Sequence, residues 1–128
     1  MRKLITWDDK YSINNEELDR HHKTLFDIFN KLYDNCVENE NGISFESLIN
    51  ELVSYTSYHF SAEEQSLRDI AYKDIDKHIL EHKTFTDKIL RLQSEHNIYD
   101  CEHSKELIVY LGYWILNHVI IEDKKISG

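Results

Sequence analysis

The sequence predicts an all-α fold: an antiparallel up-down-up-down four-helix bundle with an extended N-terminal arm. Three observations predict it. The 128 residues include no proline and only three glycines, a shortage of helix breakers that favours long helices. Four stretches carry apolar residues at steps of three and four, the spacing that lines one face of a helix. The segments between them are short, so consecutive helices are expected to run antiparallel as neighbours. At this length one domain spanning 1–128 is expected.

Residues 1–16 form the arm, with Ile5, Trp7, Tyr11 and Ile13 available to pack on the body. The first helix, α1, is expected over 17–37, with the inner stripe Leu18, His22, Leu25, Phe29, Leu32 and Cys36. The second, α2, is expected over 44–67, with Ser44 as N-cap after Gly42 and the stripe Phe45, Leu48, Leu52, Tyr55, His59 and Glu63. The third, α3, spans 74–95 with Asp74 as N-cap and the stripe Ile75, His78, His82, Phe85, Ile89 and Leu92. The fourth, α4, spans 103–123, with Leu107, Leu111, Trp114, His118 and Ile121 inward. Linkers fall at about 38–43, 68–73 and 96–102. Every stripe contains a histidine where an apolar residue was due.

Composition removes several function classes. The 15 Lys and Arg are outnumbered by 24 Asp and Glu, giving a formal charge of -9, which argues against a phosphate-backbone partner such as nucleic acid. No apolar run approaches a membrane span, and the Met1 end runs into Trp7, Asp8, Asp9 and Lys10 rather than a signal peptide. Cys36 and Cys101 lack a metal-type spacing, and a reducing cytoplasm is the expected compartment.

Helix geometry brings the inward polar residues to one level. His22 lies 16 residues before the first linker and His59 lies 16 after it, so both rise roughly 24 Å from that turn. Glu63 is 5 residues before the second linker and His78 is 5 after it. His82 sits 14 residues before the third linker and His118 is 16 after it. Burying five imidazoles and an acid at one level without partners costs several kcal/mol per unsatisfied group. A metal cluster supplies the compensation, because imidazole binds iron, zinc and copper and bridging carboxylates draw two cations together. Asp123 lies five residues beyond His118, about 140° around an ideal helix. It turns inward only if the end of α4 unwinds or widens into a π-type bulge, and such a distortion is expected there.

The ordered set of His22, His59-Phe60-x-x-Glu63-Glu64, His78-x-x-x-His82 and Trp114-x-x-x-His118-x-x-x-x-Asp123 resembles the haemerythrin and bacteriohaemerythrin pattern. The resemblance extends to Ile5-Thr6-Trp7-Asp8 in the arm and Asp19-x-x-His22-Lys23 in α1. It implies reversible dioxygen binding at a non-haem di-iron centre in a carrier, store or sensor. His78, His82 and His118 would hold one iron and His22 and His59 the other. Glu63 and Asp123 would bridge the pair beside an oxo or hydroxo group, and dioxygen would be the ligand at the less-coordinated iron. Phe60, Trp114, Ile115 and Val119 stand beside the ligand positions and are expected to form an apolar oxygen pocket, while also serving as ordinary core residues. His21 stands where many relatives have Gln, Leu67 where Met is common, and Ile126 where Tyr is frequent.

A satisfied core residue is the usual explanation of any one interior histidine; five converging at one level are not explained that way. His21, His96 and His103 fall off the stripes or in a linker and are expected at the surface, and Glu64 is expected to face away from the cluster. Tyr55 and Tyr58 are assigned to packing, with second contacts to a ligand histidine as the alternative. Neither cysteine has a partner for nucleophilic catalysis. Two competing functions remain: a di-iron redox enzyme or scavenger of peroxide or nitric oxide, and a metal-free structural or partner-binding bundle. The paired Glu-x-x-His motifs of ferritin-like di-iron enzymes do not occur, which favours a carrier over an enzyme. The chain ends five residues after Asp123, leaving no room for an output domain and favouring carriage or storage over sensing.

Overall fold

The computed structural model describes residues 5–37, 44–95 and 105–123. The helices are α1 (Glu16–Val37), α2 (Phe45–Asp69), α3 (Ile75–Glu95) and α4 (Lys105–Leu116), and α4 continues as a π-helix over Asn117–Glu122. α1 packs on α2 and α4, and α3 packs on the same two. That closed square is the packing expected of four helices joined by short connections. Among the described residues no helix is long and apolar enough to cross a membrane.

Local chemistry sets the helix ends. Asn15 caps α1, its side-chain oxygen accepting the Leu18 N–H at 3.1 Å, so the helix begins at Glu16. Ser44 caps α2 as expected, accepting the Ser47 N–H at 3.1 Å. α2 ends two residues later than expected, at Asp69. There the Tyr72 N–H donates to the Leu67 carbonyl at 3.0 Å and the Ala71 N–H to the Arg68 carbonyl at 3.1 Å. These two bonds form a Schellman motif, with Ala71 at φ 52° in the position that glycine usually takes.

The arm is tied to α1 by polar and aromatic contacts. Asn30 is buried; its amide nitrogen donates to the Ile5 carbonyl at 2.7 Å and its oxygen accepts the Ile5 N–H at 3.1 Å. Trp7, Tyr11 and Phe26 pack edge to face, with ring centroids 5.7–6.2 Å apart. Asp19 accepts from the Ser12 hydroxyl and the Ile13 N–H.

The apolar core combines the expected stripe residues, including Leu25, Phe29, Leu32, Leu48, Leu52 and Leu111, with Phe26, Ile49, Ile108, Ile115 and Val119. α1 and α4 approach closely at Gly112, where an added Cβ would lie 2.8 Å from Cζ of Phe29. Cys36 is disulfide-bonded, so the cysteines lend no support to the expected reducing compartment. The chain's other cysteine, Cys101, lies outside the described residues, as do His96, His103 and Ile126.

Candidate metal centre

All four helices deliver polar side chains to one end of the core. His22 comes from α1, His59 and Glu63 from α2, His78 and His82 from α3, and His118 from the π segment that also carries the chain to Asp123. Each is at most 4% exposed. Their donor atoms form two groups, each within 4.8 Å: Glu63, His78, His82 and His118 in one, and His22, His59, Glu63 and Asp123 in the other. Glu63 belongs to both.

The π segment accounts for Asp123. Its backbone N–H donates to the His118 carbonyl five residues back, the i→i+5 pattern that widens a helix turn. That extra residue in the turn swings Asp123 onto the face of His118, where its carboxylate is fully buried. The distortion expected from the spacing is present at the expected place.

The two carboxylates divide their oxygens between the groups. Glu63 Oε1 lies against Nε2 of His78, 3.1 Å from Nε2 of His82 and 3.3 Å from Nε2 of His118. Its Oε2 is 3.1 Å from Nε2 of His59 and 3.6 Å from Nε2 of His22. Asp123 Oδ1 is 3.0 Å from Nε2 of both His78 and His118, while Oδ2 is 2.8 Å from Nε2 of His22.

Hydrogen bonding alone does not satisfy this cluster. Among the described residues, both nitrogens of His22, Nε2 of His59, Oε2 of Glu63 and both oxygens of Asp123 are buried without a partner of hydrogen-bond geometry. Nε2 of His82 and Nε2 of His118 are 3.2 Å apart and face the same Glu63 oxygen. Lone pairs aimed at common points between rings, with acceptors left over, fit cations better than they fit one another. The donor set is imidazole-rich and could hold metal.

Electrostatics carry the same sign. Burial disfavours the imidazolium of His22, but the Asp123 and Glu63 carboxylates beside it more than offset this and raise its pKa to about 9. Burial also opposes charging of His78 and His118, yet the same carboxylates raise them to about 9 and about 10. Glu63 and Asp123 are held below the ordinary carboxylate range: burial raises them, and the surrounding histidines lower them by more. His59 is lowered, because burial dominates there. Without metal, protons on three histidines take the place of cations.

Residues 14–127 match the family model described as the Hemerythrin HHE cation binding domain. The chain belongs to the haemerythrin family. It is 30% identical over 127 residues to a bacteriohemerythrin of Clostridium acetobutylicum, covering 95% of this chain and 98% of that one. A bacteriohemerythrin of Methylococcus capsulatus is 28% identical over 122 residues, covering 94% and 92%. The crystal structure of a wild-type hemerythrin superposes with a TM-score of 0.78 at 25% identity, covering 98% of this chain and 99% of that chain.

Two expectations about neighbours of the haemerythrin-type cluster are corrected. His21 is not at the surface: it is 2% exposed, and its Nδ1 lies 3.2 Å from Nδ1 of His59. Apolar spacing missed it because it is turned toward α2 beside the stripe, where Tyr55 and Tyr58 cover it. Glu64 does not face away: its Oε2 bonds Nδ1 of His82 at 2.9 Å. Adjacent residues on a helix diverge by only about 100°, enough for a long side chain at the edge of the inner face to reach the neighbouring helix. Tyr58 is 57% exposed, and both tyrosine rings contact His21.

Of the residues expected to line a pocket, Phe60 and Trp114 contact cluster histidines. Phe60 stacks on His82 at 3.8 Å between centroids, and Trp114 stacks on His118 at 4.3 Å. Ile115 and Val119 are buried in the adjoining core. A groove of about 280 Å³ between α2 and α3 reaches Phe60, Glu64 and His82 from outside.

Proposed function

We propose that this chain binds dioxygen reversibly at a non-haem di-iron centre, with residues 1–128 acting as one oxygen-carrying or oxygen-storing domain. The observation that carries this is the pair of donor groups sharing Glu63, with the oxygens of Glu63 and Asp123 divided between them. His78, His82 and His118 would hold one ion and His22 and His59 the other, with Glu63 and Asp123 shared between them. Dioxygen would be taken up at the group with fewer histidines. Two ferrous ions would supply the electrons that dioxygen takes on binding and returns on release.

The protein's own part is to orient and to exclude water. Phe60 and Trp114 lie flat on His82 and His118, fixing both rings and covering them with apolar surface. Ile115 and Val119 extend that surface along the inner face of α4. Five imidazoles and two carboxylates donate less negative charge than a carboxylate-rich set, and so stabilise high oxidation states less. This suits release of intact dioxygen over its activation.

The test is iron content with visible spectra of the anaerobically reduced protein, before oxygen, with oxygen, and after its removal. Two irons per chain and a charge-transfer band that appears with oxygen and disappears on its withdrawal are expected. Irreversible conversion to the di-ferric form would move the function to a redox enzyme or scavenger; no stoichiometric metal would leave a structural bundle.

A further inference from the structure

We propose that His21 is a positioning residue for the metal pair: its Nδ1 accepts the Nδ1–H of His59 and holds that ring with Nε2 aimed at the cluster. The proposal rests on the two-metal function above. His21 belongs to neither group of converging donors, yet it is as buried as the ligand histidines. Its Nδ1 is 3.2 Å from Nδ1 of His59. Its ring is walled by Tyr55 and Tyr58, at 5.8 and 5.0 Å between centroids, and its Nε2 faces the Glu17 carboxylate one turn earlier in α1, at 3.9 Å.

The proton positions follow from the geometry. Two neutral imidazoles share a hydrogen bond only when one nitrogen carries the proton and the other offers its lone pair. A metal ion taking the Nε2 lone pair of His59 leaves that ring's proton on Nδ1, so His59 is the donor. His21 must then present a bare Nδ1 and carry its own proton on Nε2, the side facing Glu17. The negative carboxylate there favours the same tautomer. The run Glu17–His21–His59 thus reaches from an exposed carboxylate on α1 to a ligand on α2, with each proton assigned. An apolar side chain at position 21 would leave the buried His59 Nδ1–H with no acceptor and the ring free to tilt.

Partners of this kind typically change metal affinity by about 10–100-fold when removed. Zinc is a suitable probe because it is diamagnetic and accepts imidazole nitrogen. In the zinc-loaded native protein, proton–nitrogen correlation spectra of the imidazoles should show His59 protonated at Nδ1 and His21 protonated at Nε2. A His21 proton on Nδ1 would overturn the proposal, whatever any variant does. Zinc titrations of H21L and H21Q give the second readout. H21L should lose about 10–100-fold in affinity at one of the two sites. H21Q, whose amide oxygen can accept the same proton, should recover most of it, while metal-free melting is similar for both. Unchanged zinc affinities in H21L, or equal losses in H21L and H21Q, would refute the positioning role. Failure of the native protein to take up two zinc ions would instead remove the two-metal function, and the proposal with it.

Discussion

Around Phe29, Leu48 and Leu111 the bundle interior is dominated by apolar side chains packed on one another, and the buried polar side chains of Asn30 and Thr56 donate to backbone carbonyls. Around Glu63, seven residues along α1 from Phe29 at His22, the same interior is filled by imidazole and carboxylate. This end carries buried acceptors and lone pairs that, among the described residues, lack a partner of hydrogen-bond geometry. A bundle can therefore store the requirement for a ligand in one end, provided the other end alone holds the helices together. Ligand loss should unsettle the first end and leave the second intact.

The largest expected effect separates the two ends by metal uptake. Glu63→Gln removes the carboxylate shared by both donor groups, and the protein should no longer take up two irons, as measured by metal analysis after anaerobic reconstitution. Phe29→Ala should do the reverse. It opens a cavity at a fully buried ring and costs about 3–5 kcal/mol in urea unfolding, by the same amount with and without metal. A loss confined to the metal-loaded form would show that the ends are not independent.

Gly112→Ala tests the apolar end on a finer scale. The new methyl meets Phe29, an overpacking cost of about 1–3 kcal/mol set against about 1 kcal/mol of helix propensity gained. Net destabilisation of up to about 2 kcal/mol is expected in thermal unfolding. A gain would mean that Phe29 moves aside freely.

The polar end should reveal itself in pH dependence. In metal-free protein, His22, His78 and His118 have folded pKa values raised to about 9 to 10 from 6.5. Their contribution is full below pH 6.5 and is lost as pH rises through 9 to 10. Glu63 and Asp123 are depressed, so their contribution is present above the ordinary carboxylate range and is lost on acidification. The lowered pKa of His59 acts like that of the carboxylates, opposing stability as pH falls below 6.5. Metal-loaded protein needs its imidazoles unprotonated and should weaken only towards acid. Denaturation curves of the two forms from pH 6.5 to 9 should therefore diverge, with only the metal-free form losing stability; parallel curves would count against the cluster's charge state.

The smallest effect lies outside both ends. Ala71 occupies a left-handed position, and Ala71→Gly should stabilise either form by under about 1 kcal/mol, the relieved strain being partly offset by unfolded-chain entropy.

The order of the histidines, the short linkers and the lack of proline determined the four helices, the common level of His22, His59, His78, His82 and His118, and even the π distortion before Asp123. These are legible in sequence because helix rise and rotation are fixed per residue, so spacing along the chain converts directly into height and facing. The places of His21 and Glu64 were decided only by tertiary structure. Both sit at the margin of an inner face, where a rotation of about 100° between neighbours leaves a long side chain free to go either way. The packing of Tyr55 and Tyr58 over one, and the nearness of His82 on α3 to the other, made the choice. Facing is a property of one helix, but which neighbour a marginal side chain meets depends on how two helices are set against each other.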